Sequence, residues 1–227
     1  MSPTQIRFGT DGWRAVIAES YTFDNVRACA EGVARYLEAS GLAGRGLVIG
    51  YDTRFASEYF AAAAAEVLAA HNIHVHLFEN AAPTPVACHA ILDKHAGGAI
   101  VITASHNPGI YNGFKYKTRD GGSAPPEVVT QIEAGLDAAQ AEAGNRKQEA
   151  GNRKQGEGSG THSTGSGQAQ EAGSGKPGTV RLFDPGPAYE AHVRSQVDLG
   201  TLKGAGLDVV YDAMHSAGAG ILGRLIG

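Results

Sequence analysis

The run Gly98-Ala99-Ile100-Val101-Ile102-Thr103 has no polar side chain before its last residue. A strand with one face in water alternates apolar and polar residues. A continuous apolar run is expected of a strand covered on both faces. Such a strand needs a layer of helix on each side of its sheet. The neighbouring segments supply both kinds of element. Leu47-Val48-Ile49-Gly50-Tyr51 and residues 73–78 read as further strands. Val26, Cys29, Ala30, Val33 and Leu37 fall at helical spacing, with Asp24 as N-cap and Ser40-Gly41 as the stop. Ser57 is placed to cap an alanine-rich helix to about His71, and another helix is expected over 85–95. Asn112-Gly113 is a turn signal before a strand over 114–118. Pro126 then opens a helix carrying Val128, Val129, Ile132 and Leu136. Strands alternating with helices predict an α/β fold: a three-layer α/β/α domain over residues 1–143, with a mixed, largely parallel sheet.

Beyond residue 143 the composition changes. Glu142-Ala143-Gly144-Asn145-Arg146-Lys147-Gln148 recurs unchanged over 149–155. The period is that of a coiled coil, but no apolar positions recur to form a seam. Residues 156–178 hold no large apolar side chain. Such a stretch buries too little surface to offset its ordering entropy, so 144–178 is expected to be a flexible linker or insertion. Pattern resumes at Thr179, with a helix expected over 188–197, a strand at Leu207-Asp208-Val209-Val210-Tyr211 and a further helix from Ile221. Residues 179–227 therefore read as the start of a second, similar domain that is cut short.

The net charge of −4 suits neither nucleic acid nor an anionic membrane, both of which need a basic surface. No apolar run approaches the ~20 residues of a membrane span. The first residues lack the pattern of a secretory signal, so a cytoplasmic enzyme is the expectation. Cys29 and Cys88 form no CxxC and are expected to be reduced thiols packed in helices.

Chemistry is expected where polar loops follow buried strands, because ligands collect beyond the carboxyl ends of strands in open α/β sheets. Thr103-Ala104-Ser105-His106-Asn107-Pro108 is such a loop. Lys115 and Lys117 follow on one face of the next strand, since strand side chains alternate. A serine near a lysine cation suits phosphoryl transfer, where positioning and charge neutralisation dominate. Arg7-Phe8-Gly9-Thr10-Asp11-Gly12-Trp13-Arg14 sets glycines, which admit close backbone approach, beside arginines, which clamp anions. Gly50-Tyr51-Asp52-Thr53-Arg54 is a third polar strand end, in which Asp52 either orients Arg54 or caps the next helix. Ser105 lacks the G-x-S-x-G elbow of the α/β-hydrolases, which disfavours a serine hydrolase.

These motifs, with Tyr111-Asn112-Gly113-Phe114-Lys115 and Pro83-Thr84-Pro85, occur in an order that resembles the α-D-phosphohexomutases, the phosphoglucomutase/phosphomannomutase family. Asp212-Ala213-Met214-His215-Ser216-Ala217-Gly218 is similar to a motif of that family's second domain, with Ser216 where glycine is usual. The resemblance implies an intramolecular phosphotransferase that interconverts hexose 1-phosphate and hexose 6-phosphate through a phosphoserine and a hexose bisphosphate. It implies that Ser105 is the phosphorylated residue, with His106, Lys115 and Arg14 beside the transferring group. Thr10, Asp11, Thr103, Asn107 and Arg54 would form the phosphate loop and its surroundings. It also implies Mg²⁺ held between the phosphoserine of Ser105 and the aspartates of an Asp-x-Asp-x-Asp run. That run does not occur in this sequence, and Asp208 and Asp212 do not supply it. The expectation is a partial phosphohexomutase with little or no mutase activity of its own. The alternative is a non-catalytic phosphosugar-binding or interaction module of the same fold. Glucose and mannose phosphates are not distinguished, and the Trp13-Arg14-Ala15 form of the first motif makes glucosamine phosphate the less expected substrate.

Overall fold

A computed structural model describes residues 6–156 and 178–226, with 146–156 as backbone only. The strands β1 (Trp13–Val16), β2 (Leu47–Tyr51), β3 (Val75–Phe78), β4 (Gly98–Ile102), β5 (Tyr111–Thr118) and β6 (Val180–Phe183) join in one sheet of order β1-β5-β4-β2-β3-β6. Strands β4, β2, β3 and β6 pair parallel to one another. Strand β5 runs antiparallel to β4 and to β1. The sheet is thus mixed and largely parallel. The helices are α1 (Phe23–Ala39), α2 (Ser57–Ala70), α3 (Thr84–Lys94), α4 (Pro126–Gly156), α5 (Gly186–Gln196), α6 (Leu199–Gly204) and α7 (Ile221–Ile226).

Alternation along the strands feeds two cores. Ile100 and Ile102 join Leu47, Ile49, Val75 and Leu77 beneath α1 and α2. Ala99 and Val101 join Val48 and Phe78 on the opposite face, against Val86, Ala87, Ala90 and Ile91 of α3. Both faces of the central strands are therefore dry, and each large buried aliphatic side chain stabilises the fold by about 1.5–3 kcal/mol. Among the described residues, no helix is long and apolar enough to cross a membrane.

The structure departs from the sequence reading at several points. Asn112-Gly113 is not a turn but lies inside β5. Asn112 is fully buried, and its amide is satisfied by Ser57 and by the Gly113 N–H, so a polar residue fits a strand interior. Gly113 is squeezed between the strands: a Cβ there would fall 2.5 Å from the Thr103 carbonyl oxygen and 2.9 Å from that of Trp13. The N-cap of α1 is Thr22, whose hydroxyl accepts from the Asn25 N–H at 3.3 Å. Asp24 sits in the first turn, where its charge still suits the helix dipole. Helix α2 begins after Ala56, and the Ser57 side chain turns inward instead of capping. Strand β1 has no counterpart in the sequence reading.

Three further differences concern residues after 143. Helix α4 continues to Gly156, through the duplicated heptad assigned to a linker. Glu, Ala, Arg, Lys and Gln favour extending a helix already nucleated by packing. The remainder of that segment, 157–177, lies outside the described residues. After Thr179, β6 pairs with β3 in register Val75 to Val180, so residues 180–183 extend the first sheet. Finally, 207–211 is not a strand. Its β-branched residues suit one, but a strand needs a partner, and Val210 is 98% exposed.

Candidate functional site

Parallel pairing brings the carboxyl ends of β2, β3 and β4 to one edge of the sheet. The loops leaving them carry Asp52 to Arg54, Ala82 to Pro85 and Thr103 to Asn107. Together with residues of the 214–218 segment they line a cavity of about 740 Å³. Thr53 ties that later segment to the sheet edge, its hydroxyl donating to the His215 carbonyl at 3.2 Å.

Ser105 is exposed at this cavity, while Ala104 and the strand behind it are buried. Its backbone is left-handed, with φ of 57°, a region that non-glycine residues rarely enter. Its N–H is held by the Thr103 hydroxyl at 3.0 Å, and its Oγ lies 3.4 Å from His106 Nδ1. Arg14, on β1, donates to Asn107 Oδ1 at 2.8 Å and so places a cation beside the same loop.

Arg54 lines the cavity and faces the backbone of the serine loop. Its Nη1 donates to the carbonyls of Pro108 and Tyr111, each at 2.9 Å. Its Nη2 donates to those of Ser105 at 2.8 Å and Asn107 at 2.6 Å. Its Nε faces Asp52 Oδ2 at 3.2 Å. Of the alternatives left open for Asp52, the first holds: its carboxylate faces Arg54 Nε, while Oδ1 accepts from the Arg54 backbone N–H and the Ser57 hydroxyl, and α2, whose N-cap is Ala56, has no side-chain cap.

Lys115 and Lys117 do share a strand face, and Asp11 bridges them. Lys115 Nζ meets Oδ2 at 2.6 Å, and Lys117 Nζ meets Oδ1 at 2.8 Å. Ser123 adds hydrogen bonds to Lys117 and to Asp11. Partial burial alone would raise the Asp11 pKa. The hydrogen bonds and charges of the two lysines outweigh it and hold the carboxyl at about 2. This ionic cluster does not line the 740 Å³ cavity, and Thr10, which is exposed, does not either. The structure therefore gathers Thr103, Ser105, His106, Asn107 and Arg54 at the cavity, joins Arg14 to them through Asn107, and sets Lys115 with Asp11 apart.

Ser57 and Asn112 are buried neighbours of the site that the sequence concealed. Ser57 resembled a helix cap and Asn112 a turn residue. Their buried contact becomes visible only when α2 and β5 pack together. The described residues do not by themselves form a site for Mg²⁺. Among those described, no three His, Cys, Asp or Glu side chains are placed to hold a metal ion. Asp52 is the carboxylate lining the cavity, and both its oxygens are engaged by Arg54 and Ser57.

Comparison with known proteins points one way. Residues 5–143 match the family model described as phosphoglucomutase/phosphomannomutase, alpha/beta/alpha domain I. A phosphoglucomutase of Staphylococcus epidermidis is 36% identical over 140 residues, which is 59% of this chain and 25% of that protein. A phosphoglucosamine mutase of Edwardsiella ictaluri is 37% identical over 131 residues, covering 57% of this chain and 29% of that protein. The crystal structure of a candidate phosphomannomutase from Thermus thermophilus superposes with a TM-score of 0.77 at 31% identity, over 99% of this chain and 43% of that one. The chain thus spans about a quarter of the length of the curated relatives it matches.

Proposed function

The chain belongs to the phosphoglucomutase/phosphomannomutase family, and we propose that its Ser105 is the phosphoryl carrier of a phosphohexose mutase. The observation that carries this reading is the placement of Ser105. It is an exposed hydroxyl on a left-handed turn, presented to a cavity by a strand whose own residues are buried. A nucleophile fixed on a rigid sheet edge meets the main demand of phosphoryl transfer, which is positioning.

In the proposed step, a hexose bisphosphate gives one phosphoryl group to Ser105 Oγ. The sugar O–P bond breaks as the serine O–P bond forms, and the hydroxyl proton ends on the released sugar oxygen. His106 Nδ1 stands nearest to relay that proton. The phosphoserine then gives its group to the free hydroxyl of the opposite hexose monophosphate: the serine O–P bond breaks, the sugar O–P bond forms, the sugar proton returns to Ser105 Oγ and a bisphosphate is regenerated, so the two transfers together interconvert hexose 1-phosphate and hexose 6-phosphate. Relatives named for glucose and for glucosamine phosphates match to similar extents, so the sequence comparison does not favour one sugar.

The test is intact-mass analysis after incubation with glucose 1,6-bisphosphate. One added phosphoryl group is expected on the native chain and none on Ser105→Ala. A native chain that binds the bisphosphate but never gains the group is a phosphosugar-binding module and not a carrier.

A further inference from the structure

We propose that Arg54 is the positioning residue of the serine loop, bracing its backbone from beneath and leaving no donor to take a phosphate. The proposal rests on the reading of Ser105 as the phosphoryl carrier.

A guanidinium has five N–H donors in a fixed fork and no acceptor. Here the four on the Nη atoms are hydrogen-bonded and Nε is ion-paired. Four point at carbonyls of a single loop, those of Ser105, Asn107, Pro108 and Tyr111. The fifth, on Nε, faces Asp52. Those carbonyls lie close together in sequence and would repel one another if left to converge unaided. One partly buried cation draws them to a single point and so sets the curvature of the loop. The turn that results includes the left-handed backbone of Ser105, which a serine would not adopt unsupported.

Arg54 is itself held from behind. Asp52 Oδ1 accepts from the Ser57 hydroxyl at 2.9 Å, Ser57 Oγ accepts from Asn112 Nδ2 at 2.9 Å, and Asn112 Oδ1 accepts from the Gly113 N–H at 2.8 Å. Ser57 and Asn112 are fully buried. An uninterrupted chain of hydrogen bonds therefore runs from β5, through the start of α2 and the end of β2, to the loop that presents Ser105. A lysine at position 54 would keep the charge but lose the fork, because its three donors radiate from one nitrogen.

The experiment uses the full chain with Arg54→Lys and Asp52→Asn. Two readouts are taken: hydrogen exchange of amides 103–111, and the rate of Ser105 phosphorylation against glucose 1,6-bisphosphate concentration. Both variants are expected to speed exchange in the loop by about tenfold or more, a local opening while the distant core amides stay protected. They are expected to lower the saturating phosphorylation rate by ~10²-fold, the scale of a displaced reacting group, and to leave the half-saturating concentration unchanged. Loop exchange equal to the native chain in both variants overturns the proposal. So does a raised half-saturating concentration with the saturating rate intact, which is the mark of a direct phosphate ligand. If Arg54→Lys does not fold, Asp52→Asn decides alone by the same criteria. A native chain that is never phosphorylated removes the carrier reading, and the loop exchange still decides whether Arg54 is the brace.

Discussion

Asp11 and Lys115 are joined by a 2.6 Å contact, and the same carboxylate reaches Lys117 at 2.8 Å. One anion is thus shared by two buried lysines that project from the same face of β5. Both lysines are almost wholly withdrawn from water, so the pairing is what makes two adjacent cations tolerable in the strand.

Asp11→Asn is expected to destabilise the fold by about 1–3 kcal/mol at neutral pH, because the buried ammonium groups lose their charged partner. The sign of the pH dependence follows from the depressed pKa. An aspartate at about 2 in the folded chain, against 3.8 when unperturbed, stabilises the fold above the higher value. That contribution is lost as the pH falls through the lower one. Urea midpoints should therefore differ most between native and variant above about pH 4, and converge as the pH approaches ~2. A constant difference across that range would rule out the linkage.

His71 gives the opposite slope. Its Nδ1 lies 2.8 Å from Glu38 and its Nε2 2.9 Å from Glu31, and it closes the C-terminus of α2, where a cation suits the dipole. Burial by itself would lower its pKa. The hydrogen bonds and charges of the two glutamates prevail and raise it above 6.5. The charged pair therefore stabilises the fold fully below pH 6.5, and the contribution disappears as the pH rises through the elevated folded value. On moving from about pH 6 to about pH 9 the native chain should lose roughly 0.5–1 kcal/mol more than His71→Gln, the scale of partly exposed ion pairs. Parallel denaturation curves at both pH values would contradict this.

Gly32 marks the crossing of α1 and α4. A Cβ there would fall 2.5 Å from the Ile132 carbonyl oxygen, and Gly135 on the facing helix lies against it. Gly32→Ala should force the helices apart at a cost of about 1–3 kcal/mol, even though alanine is the better helix former. Gly44→Ala is the matched control, because nothing stands within 4 Å of its Cβ position. It should change stability by less than about 0.5 kcal/mol. Thermal midpoints of the two variants make the comparison, and a Gly32→Ala midpoint equal to that of Gly44→Ala would show that the helices are not in such close contact.

The fold class, the central strands and the position of Ser105 were legible because they rest on local signals. The run from Gly98 to Thr103 must be buried on both faces whatever surrounds it, and that demand alone implies helices on both sides and a loop exposed at the strand's end. Periodicity likewise marked α1 and the buried face of α4. Residues whose meaning depends on a distant partner were not legible. Asn112-Gly113 has the composition of a turn and becomes strand interior only because β1, β4 and Ser57 close around it. Val180 to Phe183 extends the first sheet because β3 has a free edge, a fact no local pattern carries. Leu207 to Tyr211 shows the reverse: strand-like residues, with no strand beside them among those described. Sequence alone could single out Arg54 and Lys115 as candidates, but not assign their partners. Tertiary structure decided that Arg54 spends its donors on four carbonyls and that Lys115 faces Asp11. Hydrogen bonds and ion pairs are set by three-dimensional distance, and here they join residues about fifty and a hundred positions apart.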